Sequence, residues 1–197
     1  SVDSFKLLKR YREFLKFCVC GLFYQAGIAV VITLSAVYAQ LVMKFTTAQT
    51  ITLILVVNIT AAIGAFVFGY VQDRLGHKKT LALTILLWII MGVMAAFSHG
   101  PVSFWIAANI AGIAMGSSQS AGRAVVAVFA PAGELAQFYS AWNVAVWGAN
   151  VLGPITYGTV TWLTSGDQRT AILVTTLFFV IGLLILRRVH LPSKTVC

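Results

Sequence analysis

The stretch that decides the fold is Gly69-Tyr70-Val71-Gln72-Asp73-Arg74-Leu75-Gly76-His77-Lys78-Lys79. It is the densest polar cluster between two long apolar runs. A glycine, an Asp-Arg pair, a second glycine and a basic run at fixed spacing predict a tight turn that joins two helices. The number and the orientation of the helices follow from the composition on either side of this turn.

The composition of the whole chain indicates a membrane protein. Of its 197 residues, 59% are hydrophobic and only 10% are charged, and its mean hydropathy is +0.91. A soluble domain has about 25% charged residues. The chain is therefore predicted to be an all-α polytopic protein whose surroundings are the lipid bilayer.

Six apolar runs each have the ~20 residues that a helix needs to cross the hydrocarbon core. We place them at 17–43, 48–71, 80–98, 102–122, 136–163 and 170–187. Charged residues and helix breakers separate them. The predicted organisation is a basic amphipathic helix over 1–16 at a membrane surface, a six-span membrane domain over 17–187, and a cytoplasmic tail over 188–197.

The basic residues are distributed unevenly between the two sides of this domain. With six spans, the N-terminal segment, the second and fourth turns and the tail share one side. Of the 14 Lys and Arg residues, only Lys44 and Arg169 fall on the other side. Because cytoplasmic loops are enriched in Lys and Arg, both termini and the 69–79 turn are predicted to be cytoplasmic. This distribution accounts for the net charge of +9 without a nucleic-acid partner.

Residue patterns for catalysis or metal binding are not found in the sequence. The five acidic residues all lie at span ends or in turns, so no carboxylate pair is placed inside a span. Cys18, Cys20 and Cys197 form neither a Cys-x-x-Cys motif nor a Cys/His cluster at metal spacing. We therefore predict that the chain is not an enzyme and uses no metal or cofactor.

Polar side chains concentrate in the first, fourth and fifth spans. Amides are costly in hydrocarbon, so they tend to face a bundle interior or a water-filled cavity. These three spans are predicted to line a cavity, with the second span as their partner. The alternative is that the amides bond between helices. The candidate solute-binding residues are Tyr24, Gln25, Asn109, Gln119, Asn143 and Asn150.

Small residues predict two further features of the spans. Gly153-Pro154 interrupts the fifth span and predicts either a static kink or a flexing point. A four-residue repeat of small side chains predicts a face of the fourth span that allows close approach of another helix. This face is formed by Ala108, Gly112, Gly116 and Ser120.

The central turn resembles the signature loop of the major facilitator superfamily, Gly-x-x-x-Asp-Arg-x-Gly-x-Lys-Lys, which follows the second of six spans. Other segments resemble the vacuolar amino-acid effluxer family, the autophagy-related one, and its bacterial relatives. These segments are Phe23–Gly27, Gly116–Arg123, Gly153-Pro154 and Gly166–Ile172.

The resemblance implies a secondary transporter in which these six spans are the C-terminal half of a twelve-span permease. The partner would then be a missing N-terminal six-span half of the same longer chain. The implied solute is small, such as an amino acid. The implied location is the bacterial inner membrane, or the vacuolar membrane in a eukaryote.

Three positions depart from the pattern of that family. Ala26 stands where the family has an Asp, Trp147 where a Lys is common, and Gly122 where a Ser is usual. Because two charges are replaced by uncharged side chains, the coupling mechanism is not carried over from the family, and the amino-acid solute stays an expectation from the resemblance alone.

The turn also suggests a conformational latch between spans two and five. The two glycines allow close approach and a positive φ where a helix must end. Asp73 is expected to accept hydrogen bonds at the N-terminus of span five, with Glu134 as a candidate partner for Arg74. The alternative is that the Asp-Arg pair only determines the membrane topology of the spans. The latch residues are Gly69, Asp73, Arg74, Gly76, Lys78 and Glu134.

Two other functions compete with half of a transporter. One is a non-transporting six-span scaffold or a degenerate half-transporter, which the uncharged residues Ala26 and Trp147 slightly favour. The other is a six-span unit that transports as a homodimer.

Overall fold

The computed structural model describes the backbone of residues 2–192 and the side chains of residues 10–192. The amphipathic pattern predicted for residues 1–9 and the tail from 193 to 197 lie outside the described side chains. Six helices make up the fold of residues 2–192, and the predicted all-α, six-helix class is confirmed. They are α1 (Val2–Leu41), α2 (Thr47–Leu75), α3 (His77–Phe97), α4 (Pro101–Phe129), α5 (Leu135–Leu163) and α6 (Gln168–Arg188).

Helix length and composition agree with membrane crossing. α1, α2, α3 and α6 are long and apolar enough to span a bilayer. α4 and α5 have 29 residues each. At 1.5 Å per residue these two helices are about 40 Å long, which exceeds the ~30 Å hydrocarbon core.

The helix bounds differ from the predicted spans at three places. α1 runs without a break across residue 16, so the segment predicted to lie at the membrane surface is continuous with the first span. α2 extends to Leu75, which leaves Gly76 alone before α3, with a φ of 81°. α4 extends past residue 122 to Phe129, because no helix breaker occurs before Pro131.

The helices form two interleaved groups of three. α4 packs against α2 and α3, whereas α1 packs against α5 and α6. A contact between α3 and α6 joins the two groups. The first helix of each sequential triplet thus packs with the second and third helices of the other triplet. Two inverted repeats related by a pseudo-twofold axis produce this arrangement.

The α3–α6 contact lies at the centre of the pseudo-symmetry. The rings of Trp88 and Phe179 stack there with centroids 5.3 Å apart and planes 5° from parallel. Each ring occupies the same position counted from the start of its helix. The indole Nε1 of the buried Trp88 donates to the Ser118 hydroxyl on α4 at 3.2 Å. This hydrogen bond joins α3 to α4, so a polar residue of the fourth span bonds between helices here.

The ends of α3 and α6 cap each other. Lys78, the second residue of α3, donates from Nζ to the carbonyl oxygens of Arg187 (3.1 Å) and Val189 at the end of α6. Arg169, the second residue of α6, donates from Nη1 to the carbonyl oxygen of Ala96 at the end of α3 (2.9 Å). The last carbonyls of a helix have no hydrogen-bond partner within the helix and carry negative partial charge. A cationic side chain therefore both donates hydrogen bonds to them and attracts them by its charge.

Arg10 caps a third helix. Its guanidinium donates to three carbonyl oxygens at the end of α4, those of Val128 (3.1 Å), Ala130 (3.0 Å) and Phe129. These contacts lie at the end of the molecule that holds the start of α1, the α2–α3 turn and the end of α6. We call this the basic end. Arg10 therefore fastens the start of α1 to the end of α4.

Two carboxylates complete the contacts of the α1 start. The Tyr11 hydroxyl donates to Glu134, which precedes α5. The buried Glu13 carboxylate accepts from Lys16 and from the backbone N–H of His190, just after α6, at 2.7 Å. The start of α1 thus contacts α4, α5 and the segment after α6.

A buried aromatic cluster lies beneath these polar contacts. Neighbouring ring centroids are 4.4–5.9 Å apart, within the range of favourable aromatic pairs. The cluster joins α1, α4 and α5 at the basic end. Its members are Phe14, Phe17, Phe129, Phe138 and Trp142.

Glycines allow the closest helix contacts in both groups. A Cβ added at Gly112 or Gly116 of α4 would collide with α2 backbone oxygens, which confirms the predicted close approach at these positions. In the other group, a Cβ at Gly153 of α5 would collide with the carbonyl oxygen of Ala26 on α1. Pro154 lies inside α5, which continues to Leu163.

Gly153→Ala is expected to destabilise the protein, because the new methyl has no room against α1. Overpacking of this kind costs about 1–3 kcal/mol. Gly158→Ala in the same helix is the matched control, since no atom lies within 4 Å of its added Cβ. The control should be neutral or gain up to ~1 kcal/mol of helix propensity. Thermal unfolding in detergent measures both, and equal melting temperatures would refute the close contact.

Arg10→Gln is expected to lower stability by about 2 kcal/mol, because hydrogen bonds from a charged group are lost at the end of α4. Arg10→Lys should recover little, since an ammonium does not reproduce the fork of the guanidinium. The neighbouring Arg12 is exposed, so Arg12→Gln should change the melting temperature little. An equal loss in the Arg10→Gln and Arg12→Gln variants would show that the cap contributes nothing.

Candidate functional site

α2 and α5 are the outermost helices of the two groups and have the most exposed sides. α2 packs mainly on α4, and α5 packs mainly on α1. The exposed side of α2 is mostly apolar, and its exposed amide, Asn58, donates within its own helix. Its large apolar side chains are Ile51, Ile54, Leu55, Ile59, Ile63, Phe66, Val67 and Tyr70.

The exposed side of α5 is partly polar. Asn143, Trp147 and Asn150 follow a spacing of four and three residues, so they lie in one stripe, and all three are exposed. Trp147 is 71% exposed. Neither amide has a hydrogen-bond partner among the described residues. An amide facing hydrocarbon without a partner is costly, so this stripe requires water, a solute or another protein surface against it.

The other predicted solute-binding residues do not join this stripe. Tyr24 and Gln25 are buried inside the six-helix bundle. The Tyr24 hydroxyl lies so close to α4 that a Cβ added at Gly122 would be 2.6 Å from it. Asn109 is half-buried and donates to the Trp105 carbonyl of its own helix at 2.8 Å. The structure therefore does not bring the six predicted residues together in one open site.

Gln119 occupies an intermediate position. It is half-buried on α4 and makes no hydrogen bond to a described residue. Its amide is therefore available for a partner, as the amides of Asn143 and Asn150 are.

An apolar cavity of about 250 Å³ lies toward the end opposite the basic end, among α1, α2, α3 and α4. None of the predicted solute-binding residues lines it. The Tyr38 hydroxyl on its wall donates to the Ala95 carbonyl at 2.9 Å, and the Asn58 amide donates to Ile54 in its own helix at 2.8 Å. Asn58, an amide inside the apolar run of span two, is the signal that could have pointed to this cavity.

The side chains of the residues proposed for the latch make no hydrogen bond or ion pair with one another in the described part of the chain. Asp73 and Arg74 are exposed in the last turn of α2, and neither has an ion-pair partner in the part of the chain that the structure describes. Glu134 accepts from Tyr11 instead of Arg74. The expected Arg74–Glu134 pair is not formed among the described residues in this conformation, because α2 and α5 belong to different packing groups. The latch therefore stays a prediction.

Three further latch residues have distinct surroundings. The positive φ expected at Gly76 is confirmed at 81°. Gly69 lies within α2, and no other helix comes within 4 Å of an added Cβ there among the described residues. Lys78 donates to the carbonyl oxygens of Arg187 and Val189 at the end of α6.

The turn before α6 differs from the turn before α3. Asp167 caps α6 by accepting from the backbone N–H groups of Arg169 and Thr170 at 3.0 and 3.3 Å. The Thr170 hydroxyl, together with these N–H groups, lowers the pKa of the Asp167 carboxyl. The equivalent residue before α3 is Gly76, which has no side chain to cap the helix.

Comparison with known proteins shows the family of this chain. Residues 1–196 match the family described as vacuole effluxer Atg22 like. The uncharacterized MFS-type transporter YxiO of Bacillus subtilis is 26% identical over 193 residues, which are 98% of this chain and 44% of that protein.

Two solved structures from E. coli share the fold. The fucose:proton symporter FucP superposes with a TM-score of 0.77 at 18% identity, over 91% of this chain and 43% of that one. The xylose transporter XylE in its inward-open conformation gives 0.76 at 19% identity, over 92% and 48%. The chain spans less than half the length of each of these three proteins.

The interleaved six-helix group therefore corresponds to about half of a major facilitator fold, and the Asp73-Arg74 turn lies where the resemblance of the sequence requires it. The chain is a multi-pass integral membrane protein and belongs to the Atg22-like family within the major facilitator superfamily.

Proposed function

We propose that the chain is one half of a secondary transporter that moves a small solute by alternating access. The observation that carries this proposal is the exposed side of α5, where two amides that bond to no described residue lie beside Trp147. A second six-helix half placed against α2 and α5 would cover their apolar residues. It would leave the amides facing a cavity between the halves, where transporters of this kind bind solute.

The proposed solute contacts are Asn143, Asn150 and Gln119, with Tyr24 and Gln25 reaching the cavity only after rearrangement. Asn109 is not among them, because its amide donates to the Trp105 carbonyl of its own helix. An amino acid is the proposed solute, because the chain resembles the amino-acid effluxers and its family is described as effluxer-like. Amide side chains can bond both its carboxylate and its ammonium group. The proposed location is a bacterial inner membrane with both termini in the cytoplasm, on the basis of the Lys and Arg distribution.

Uptake of amino acids by the full chain in liposomes tests this function. Asn143→Ala and Asn150→Ala should each reduce transport about tenfold, since a lost hydrogen bond to solute is worth ~1–1.5 kcal/mol. Asn109→Ala is the matched control, because that amide is satisfied within its own helix, and its transport should stay within about twofold of wild type.

Three outcomes would contradict the proposal. Equal losses in the Asn109 and Asn150 variants would place the solute elsewhere. Absence of uptake for every solute in a panel, with and without a proton gradient, would favour the six-span scaffold. Activity that appears only when two copies are crosslinked along α2 or α5 would favour the homodimer.

We also propose that the Asp73-Arg74 turn acts as a latch in a state other than the one described. In the described conformation Glu134 is held by Tyr11, and the turn of α2 is free to bind a helix N-terminus as the halves move. A partly buried contact with a helix dipole is worth up to ~2 kcal/mol, which shifts a two-state population about 30-fold.

Labelling of a single cysteine at the basic end tests the latch. Ala136→Cys, in a variant without the three native cysteines, reports the exposure of the first turn of α5. Asp73→Asn should change its labelling rate up to about 30-fold, whereas Asp73→Glu should keep the wild-type rate. Unchanged labelling in Asp73→Asn, with normal membrane insertion, would leave the turn with only a topological role.

A further inference from the structure

The α3–α6 corner of the basic end concentrates positive charge. The two bonds from Lys78 to the end of α6 bring the start of α3 beside the end of α6. Lys79 follows Lys78, Arg187 and Arg188 end α6, and Arg74 lies in the last turn of α2 just before α3. All four side chains are exposed. None of them forms an ion pair with a described residue.

The carboxylates near this corner do not neutralise it. Asp73 is a single exposed charge on the last turn of α2. Glu13 is bonded to Lys16 and to the backbone N–H of His190. The corner related to it by the pseudo-twofold axis has Arg169 with Asp167 two residues before it, so that corner carries no comparable excess of charge.

Two of these cations stand at the head of exposed apolar stripes. On α3, Lys79 begins a stripe with steps of four and three residues, which keep its members on one face of the helix. The exposed members after Lys79 are Leu83, Leu86, Ile90 and Val93. On α6, Arg188 ends an equivalent stripe formed by Leu177, Ile181 and Leu184.

The two stripes face the same direction. α3 packs on α4 and α6, and α6 packs on α1 and α3. The sides of α3 and α6 that remain exposed are therefore turned away from α1 and α4. Each stripe is an apolar surface of helix length with a free cation at the level where an interfacial headgroup lies.

We infer that the α3–α6 corner is a binding site for an anionic glycerophospholipid. Lys79 and Arg188 contact the headgroup, with Arg187 and Arg74 beside it, and the acyl chains lie along the two stripes. A zwitterionic lipid with the same chains fits the stripes equally well but lacks the net charge that the four cations attract. The site is therefore selective for headgroup charge, and this inference does not depend on which solute the protein transports.

Native mass spectrometry of the full chain in detergent, titrated with lipid, tests the site. The probes are phosphatidylglycerol and phosphatidylcholine with identical acyl chains. Wild type should bind phosphatidylglycerol more tightly. The double variant Lys79→Gln, Arg188→Gln should lose about 30-fold in phosphatidylglycerol affinity, at ~1 kcal/mol for each cation near the headgroups. Its phosphatidylcholine affinity should stay unchanged.

The control double variant is Lys44→Gln, Arg123→Gln, which removes two exposed charges away from the corner. It should keep the wild-type preference for phosphatidylglycerol. The double variant Lys79→Arg, Arg188→Lys keeps both charges and should also keep the preference, which separates loss of binding from loss of folding.

Three results would overturn the inference. One is equal affinity of wild type for the two lipids. Another is an equal loss in the control double variant, which would show a general effect of net charge. The third is displacement of phosphatidylglycerol by millimolar inorganic phosphate, which would show a site for a free anion without acyl chains.

Discussion

The structure depends on how the carbonyl groups at its helix ends find partners. A helix that ends at a membrane interface leaves its last carbonyls without bonds inside the helix, and the bilayer core supplies none. Here cationic side chains from another helix bind them, with Arg10 at the end of α4, Lys78 at the end of α6 and Arg169 at the end of α3. Each cap joins elements that are distant in sequence, so it fixes both a helix end and a tertiary contact.

Between these ends the helices are held mainly by close packing of small residues and rings. Gly112 and Gly116 bring α4 against α2, and Gly153 brings α5 against α1, so each group has helix contacts at backbone distance. The Trp88–Phe179 stack joins the groups at the centre. The basic end is filled by aromatic rings, whereas a cavity of about 250 Å³ lies toward the other end. The two ends of the half are thus packed to different densities.

The sequence predicted the features that depend on local pattern. The six helices, the turn at Gly76 and the small face of α4 follow from apolar run length, from the need for a positive φ and from a four-residue repeat. The sequence did not predict which way each helix is rotated. Tyr24 and Asn143 are both polar residues inside spans, yet Tyr24 is buried and Asn143 is exposed. Which face of a helix is buried depends on neighbouring helices that are distant in sequence. For the same reason Glu134 binds Tyr11, and Arg74 remains apart from it.

The reciprocal caps of α3 and α6 set a common length for these two helices. Both have 21 residues, or about 30 Å at 1.5 Å per residue, which is the thickness of a typical hydrocarbon core. A residue inserted into one helix would carry its terminal carbonyls past the cation of the other and rotate them by about 100°. An evolutionary change of length in α3 would therefore have to be matched in α6. The matched lengths of α3 and α6 thus fix the hydrophobic thickness of the protein and the thickness of the bilayer that it fits best.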